Sequence, residues 1–288
     1  MLDLVKNTTI YLRVTGLCNS NCEFCYRDSR DVYGEDLKTV KKIIDKIKNF
    51  GFERLGILGG EVFLRPDAPQ IFEYAHKKKF KISFATNGLA FTPKRIDILN
   101  KCIQWLGLPL DGATPKDSAK IRSSFDQFKT TVNLLKYFKK HKPNFKIKIS
   151  TLVSKINKNN IIDIGKVLFQ ARNLYQPDAW RLLKFLDLGQ GKKNKKKFFI
   201  SEKEFSQIAS QTIKKFSNLS NVSRRHNVSR TNSVYLIISA RSRILKSKGN
   251  QYFDCGDFKN ISKQKFMNLI GESMLWQTTS NNMWRVEA

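Results

Sequence analysis

Up to Asp187 this chain alternates short apolar runs with longer stretches of helical period, and that alternation restricts its fold more than any other feature. Runs of β-branched, aromatic and aliphatic residues predict strands at Thr8–Val14, Arg54–Leu58, Lys81–Ala85, Trp105–Pro109, Lys146–Val153 and Trp180–Asp187. Helical patterns fall between them at Asp36–Asn49, Asp67–Lys79, Pro93–Asn100, Pro115–Lys140 and Ile161–Ala171. Leu37, Val40, Ile43, Ile44 and Ile47 recur three and four apart, the mark of one buried helix face. Pro66-Asp67 and Thr92-Pro93 read as helix starts. Six βα units predict an α/β fold with a parallel sheet and helices on one side, because parallel crossovers are right-handed. At 288 residues the chain can bury one large core. Residues 1–187 are expected to form that core, and 188–288 a C-terminal extension packed on it. In the extension, Gly189–Lys197 is expected to be a loop with five lysines, followed by a capped helix from Ser201 to Phe216. Ser217–Asn232 reads as irregular, Asn232–Ala240 as a strand and Gln264–Leu269 as a short helix.

Cys18, Cys22 and Cys25 crowd the loop after the first strand with the spacing C-x3-C-x2-C, and Phe24 and Tyr26 flank the last of them. A zinc site wants four ligands, commonly in two pairs. Here Cys102 and Cys255 stand alone, and His76, His141 and His226 form no closely spaced pair. The spacing is too tight for disulfides, and the N-terminus shows no signal-peptide pattern, so the expected compartment is the cytoplasm. No apolar run approaches the roughly 18 residues of a membrane span. Three thiolates can hold three irons of a [4Fe–4S] cluster and leave the fourth open to a small molecule, whereas four cysteines suit electron transfer. Lys and Arg total 53 against 24 Asp and Glu, a formal charge of +29. Part of that excess fits a Lys-, Asn- and Ile-rich composition, and the shortage of acids favours a polyanionic partner such as RNA or a nucleotide.

The cysteine motif resembles the signature of the radical S-adenosylmethionine (SAM) superfamily, and further elements follow in that family's order. Leu55–Leu64 is similar to its GGE element, Ile82–Gly88 to its TNG strand end, Leu106–Gly112 to its LDG strand end, and Ile121–Asp126 to the arginine-bearing segment after it. The resemblance covers about residues 8 to 186. It implies a partial six-stranded (β/α)6 barrel with its chemistry at the C-terminal ends of the strands, where these motifs fall. It further implies that Cys18, Cys22 and Cys25 ligate a [4Fe–4S] cluster whose open iron chelates S-adenosyl-L-methionine. Reductive cleavage would give a 5′-deoxyadenosyl radical that abstracts hydrogen from a substrate. Gly59 and Gly60 would let the backbone approach the cofactor, and Glu61 would accept from the SAM ammonium. Val62 stands where the family usually has proline. Thr86, Asn87 and Asp111 would face the methionine or ribose, Asp111 holding ribose hydroxyls. Arg122 would meet the SAM carboxylate, and Ser150 would border the same pocket. An electron donor such as a flavodoxin or ferredoxin is implied.

The substrate is less legible. Lys146, Lys148, Arg181 and Lys184 lie on the fifth and sixth strands, and Lys146 and Lys148 share a face. Facing inward, these cations would invite a phosphate; facing outward, they would be solvated. Phe145–Ile149 and Trp180–Leu186 resemble the viperin-like branch, which dehydrates nucleoside triphosphates. The segment Tyr26–Arg30 and the Pro-Leu-Asp-Gly element depart from that branch, and the substrate stays unassigned. With one cysteine after residue 188 an auxiliary cluster is not expected, which disfavours a peptide substrate. Asn19 and Asn21 read as turn residues, and the lysines of 192–197 as a solvated loop or a guide for an anion. The rival reading is a nucleic-acid-binding protein with a structural cluster; SAM cleavage separates the two.

Overall fold

The structure, a computed structural model, describes residues 2–27, 33–122, 126–219, 221–225, 236–248 and 251–280. Of the residues singled out above, 28–30, 123–125, 220 and 226–235 lie outside these, His226 among them. The strands are β1 (Thr9–Arg13), β2 (Arg54–Leu58), β3 (Lys81–Ala85), β4 (Trp105–Pro109), β5 (Lys146–Val153), β6 (Ala179–Lys184), β7 (Asn221–Arg225), β8 (Leu236–Ile238), β9 (Arg243–Lys248) and β10 (Gln251–Asp257). The helices are α1 (Leu2–Asn7), α2 (Leu37–Asn49), α3 (Ala68–Lys77), α4 (Pro93–Cys102), α5 (Pro115–Ala119), α6 (Asp126–His141), α7 (Ile161–Gln170), α8 (Gln190–Lys193), α9 (Lys195–Phe198), α10 (Glu202–Phe216) and α11 (Lys263–Ser280).

One sheet runs β10-β9-β8-β1-β2-β3-β4-β5-β6-β7. From β8 through β7 every neighbouring pair is parallel, and β9 and β10 are antiparallel additions at one edge. The six expected strands are adjacent and in order, as a partial barrel requires. Leu106 and Leu108 of β4, Ile147 and Ile149 of β5 and Leu182 of β6 join Ile44, Ile71, Leu99, Leu135 and Leu168 of the helices in one continuous core. Each such side chain taken from water stabilises the fold by about 1.5–3 kcal/mol. The other, inner face is different: there Trp105 packs with Ala179 in a cluster of its own.

Side-chain caps begin several helices as the sequence suggests. Asp36 accepts from the Thr39 amide at 2.7 Å, Thr114 from Asp117 N at 3.1 Å, and Ser201 and Glu204 close a reciprocal box. Several expectations need correction. The long helix over Pro115–Lys140 is broken into α5 and α6; the chain turns at Lys120–Arg122, which lets Arg122 reach back to Asp111. The sixth strand stops at Lys184, where Phe185 turns to stack on Phe198 at 5.7 Å between ring centroids. The lysine loop is the helical pair α8–α9. The polar stretch after Ser217 contains β7, which extends the sheet beside β6. Its only strongly apolar residue is Val222, so an edge strand held by backbone pairing was invisible to a pattern of buried side chains.

The C-terminal segment is anchored at the β1 edge. Phe258 and Phe266 sit 5.0 Å apart edge to face, and Phe258 meets Phe50 just after α2 at 5.8 Å. Glu35 accepts from Ser242 at 2.7 Å and from Lys259 at 2.9 Å, and these bonds hold its carboxyl below the usual range. The helix expected at Gln264–Leu269 is the longer α11, and the hairpin of β9 and β10 was not anticipated.

Candidate active site

The cysteine loop leaves the C-terminal end of β1 and lies against the turn that leaves β2. Gly60 N donates to Thr15 O at 2.9 Å and Glu61 N to Leu17 O at 2.7 Å. A Cβ on Gly60 would stand 2.0 Å from Leu17 O, so only glycine allows the two loops to pack this closely. Gly59 lies against Thr15, 3.1 Å from a built Cβ to Cγ2. Cys22 is buried, Cys18 and Cys25 are half-buried, and all three are free thiols. Cys25 N donates to Cys22 O at 3.2 Å. Burial pushes the Cys18 thiol up, against the pull of the Ser20 amide and the Arg27 charge. From below, Gly191 of α8 donates to Cys25 O and Asn194 to Glu23 O, each at 3.1 Å. Phe24 meets Phe198 of α9 at 5.9 Å. Cys102 lies buried on α4, its thiol pushed up to about 11 by desolvation, and Cys255 lies on β10.

Glu61, 1% exposed, links this loop to the end of β3. Its Oε2 accepts from Thr86 Oγ1 at 2.7 Å and from Asn87 N at 2.9 Å. Its Oε1 is buried and forms no hydrogen bond of ordinary geometry. Burial pushes this carboxyl up; the Thr86 hydroxyl and nearby amides pull the other way. The Asn87 side chain donates to Asn19 at 2.7 Å and to Ser20 at 3.2 Å, so Asn19 has a partner beyond its own turn. Gln127 of α6 donates to Asn87 O at 2.6 Å.

Asp111, also 1% exposed, follows β4. Its carboxylate accepts from Arg122 Nε at 2.5 Å and from Leu152 N at 2.6 Å. The residues expected to meet ribose and SAM carboxylate separately are therefore paired with each other. The Arg122 guanidinium also lies 5.0 Å over the Phe24 ring, beside the cysteines. Asn157 braces this corner, donating to Asp111 O at 3.0 Å and to Leu152 O at 2.6 Å.

The strand register sorts the four expected substrate cations. Lys146, Lys148 and Ser150 alternate with Ile147, Ile149 and Thr151, which point to the helices, so the first three occupy the inner face. Lys148 lies beside Gly107, and Ser150 is in register with Arg181. Lys146 begins β5 at the opposite mouth from the cysteines, its ammonium 5.8 Å from the Trp105 ring. Lys184 departs from expectation: it has the parity of Trp180 and Leu182, faces the helices, and donates to Glu202 at 3.0 Å. Sequence reasoning missed Trp105 and Tyr11 on the inner face; Tyr11 covers Gly56, where a built Cβ would be 2.4 Å from its ring. It also missed Arg27, whose Nε donates to Cys25 Sγ at 3.2 Å. Only its place two residues after the third cysteine hinted at that contact.

Among the described residues no three His, Cys, Asp or Glu side chains converge on a single-ion site. A cubane takes one thiolate per iron and spreads its ligands, so the donor set suits a cluster better than zinc. The buried, unsatisfied Glu61 Oε1 suits a cationic donor beside it. Among the described residues no helix is long and apolar enough to cross a membrane.

Residues 12–168 match the family model of the Radical SAM superfamily. A nucleotide dehydratase dependent on S-adenosylmethionine, from Flammeovirga pacifica, is 23% identical over 266 residues, covering 88% of this chain and 87% of that protein. The AdoMet-dependent heme synthase of Methanosarcina barkeri is 31% identical over 165 residues, 56% of this chain, and the match spans 46% of that protein. The structure of native anSMEcpe with bound AdoMet has the same fold, with a TM-score of 0.69 at 15% identity over 94% of this chain and 83% of that one.

Proposed function

Because the chain belongs to the radical SAM superfamily, whose members are enzymes that use a [4Fe–4S] cluster and SAM and need a reductant, we propose that it acts on a phosphorylated nucleotide held inside its partial barrel. The observation that carries this reading is the inner face of β5 and β6, where Lys148, Ser150 and Arg181 stand together toward the cysteine end. Cations at this spacing match the charge of a polyphosphate, whose oxygens accept charge-assisted hydrogen bonds. Tyr11, half-buried on the inner face, adds aromatic surface of the kind on which a base can stack. The name of the Flammeovirga pacifica relative supports the same substrate class.

Cys18, Cys22 and Cys25 would hold the cluster, which when bound supplies the electron that cleaves SAM to a 5′-deoxyadenosyl radical. Glu61 would receive the SAM ammonium on its unsatisfied oxygen, held in place by Thr86 and Asn87. Asp111 orients Arg122, and the guanidinium remains beside the cysteine loop, where an anionic group of the cofactor would meet it. The glycines of the β2 turn keep this wall thin.

Anaerobically reconstituted protein with dithionite and SAM is the direct assay. Release of 5′-deoxyadenosine is expected, and one member of a panel of nucleoside triphosphates should raise it and be consumed, as seen by mass spectrometry. The substrate assignment falls if no nucleotide raises the rate; an increase with RNA alone would move it to a nucleic acid. Binding of RNA without SAM cleavage would favour a structural cluster.

A further inference from the structure

We propose that Arg27 raises the reduction potential of the cluster by donating a hydrogen bond to the Cys25 thiolate; the proposal rests on the cluster assignment above. Arg27 is 4% exposed. Its Nε donates to Cys25 Sγ at 3.2 Å, and its Nη1 donates to the Gly16 carbonyl at the start of the same loop. One planar guanidinium thus spans the loop from its first turn to its last cysteine.

Two glycines make room for it. A Cβ on Gly60 would stand 2.4 Å from Arg27 Nη1, and one on Gly189, at φ +56°, would stand 2.2 Å from Arg27 O. Burial works against the guanidinium charge, and the charges of Cys25 and Cys18 favour it. A cation this deep is stabilised by negative charge on the sulfurs beside it.

The direction of the effect follows. Reduction adds one electron to the cluster, and the extra charge is shared with its thiolates. A charged N–H donor at one thiolate stabilises the reduced form more than the oxidised form, and hydrogen bonds to sulfur are among the factors that set such potentials. Arg27 is therefore a positioning and tuning residue, acting through Cys25.

The experiment is a redox titration of the full chain, reconstituted and free of SAM, followed by electron spin resonance of the reduced cluster. Wild type is compared with Arg27→Gln, Arg27→Lys and Arg27→Ala, with iron and sulfide measured for each. Arg27→Ala is expected to be harder to reduce by at least tenfold in the reduction equilibrium, about 59 mV for one electron. Arg27→Gln keeps a donor without its charge and should fall between. Coincident titrations at full iron content would overturn the proposal. So would loss of iron and sulfide from all three variants, which would make Arg27 a strut of the loop. A wild-type protein that takes up no cubane overturns the cluster assignment itself, a failure visible before any variant is made.

Discussion

The two halves of the barrel are built on different principles. On β1 to β4 the polar side chains at the strand ends are bound to one another: Glu61 to Thr86 and Asn87, Asn87 to Asn19 and Ser20, Asp111 to Arg122. On β5 and β6, Lys146, Lys148, Ser150 and Arg181 line an inner face in a row set by strand register. The first half is a prebuilt frame, suited to a ligand that does not change. The second offers charge at fixed spacing, suited to a ligand that differs from one relative to another. On the proposed reading, preorganisation and specificity are separated along the chain.

Substitutions on each half test that separation. Cys22→Ser should have the largest effect, abolishing both 5′-deoxyadenosine release and the visible absorption of the reconstituted cluster. Asp111→Ala should come next, because removing one partner of a buried ion pair costs about 3–5 kcal/mol. Chemical denaturation measures that loss, and Asp111→Ala should also lower SAM binding by releasing Arg122. Glu61→Gln should weaken SAM binding by about 1.5–3 kcal/mol, the range for a charged hydrogen bond, with little change in stability.

Glu61 also carries a pH signature. Its folded pKa is raised by burial, so its contribution to stability is present below the unfolded value and declines as pH rises through the folded one. An ammonium guest favours the ionised form. SAM affinity measured by calorimetry should therefore climb with pH as free Glu61 ionises, and Glu61→Gln should flatten that limb. A limb that persists in the variant would assign the effect to another group.

On the other half, Arg181→Ala and Lys148→Ala should each raise the KM for a nucleoside triphosphate about tenfold, the loss of one charge-assisted contact. SAM cleavage without substrate should not change; if it does, the two halves are not separate. Ser201→Ala, at the cap of α10, should cost about 1 kcal/mol of stability and leave both activities intact.

How much of this was legible varies residue by residue. β2, β3, β4 and β5 have the bounds read from the sequence, because β2 to β4 are short, mainly apolar runs and β5 alternates isoleucine with lysine at the period of a strand. β7 and β10, the two edges of the sheet, and β9 beside β10 escaped, since their sequences are mostly polar or charged and they owe their place largely to backbone pairing. The cysteines and the GGE turn announced themselves by spacing. The pairing of Asp111 with Arg122 did not, because it depends on a break between α5 and α6 that a continuous helical pattern conceals. Lys184 illustrates the same limit: its partner Glu202 follows 18 residues later, on the far side of α8 and α9.

The sequence by itself determined the βα alternation, the thiol triplet and the parity that places Lys146 and Lys148 on one face, because period and spacing are properties of neighbours along the chain. Tertiary structure alone decided which face is the inner one, which cations keep it, and that Arg27 reaches Cys25 through space cleared by Gly60 and Gly189. Those outcomes depend on contacts between segments far apart in the chain, and such contacts form only when packing brings the segments together.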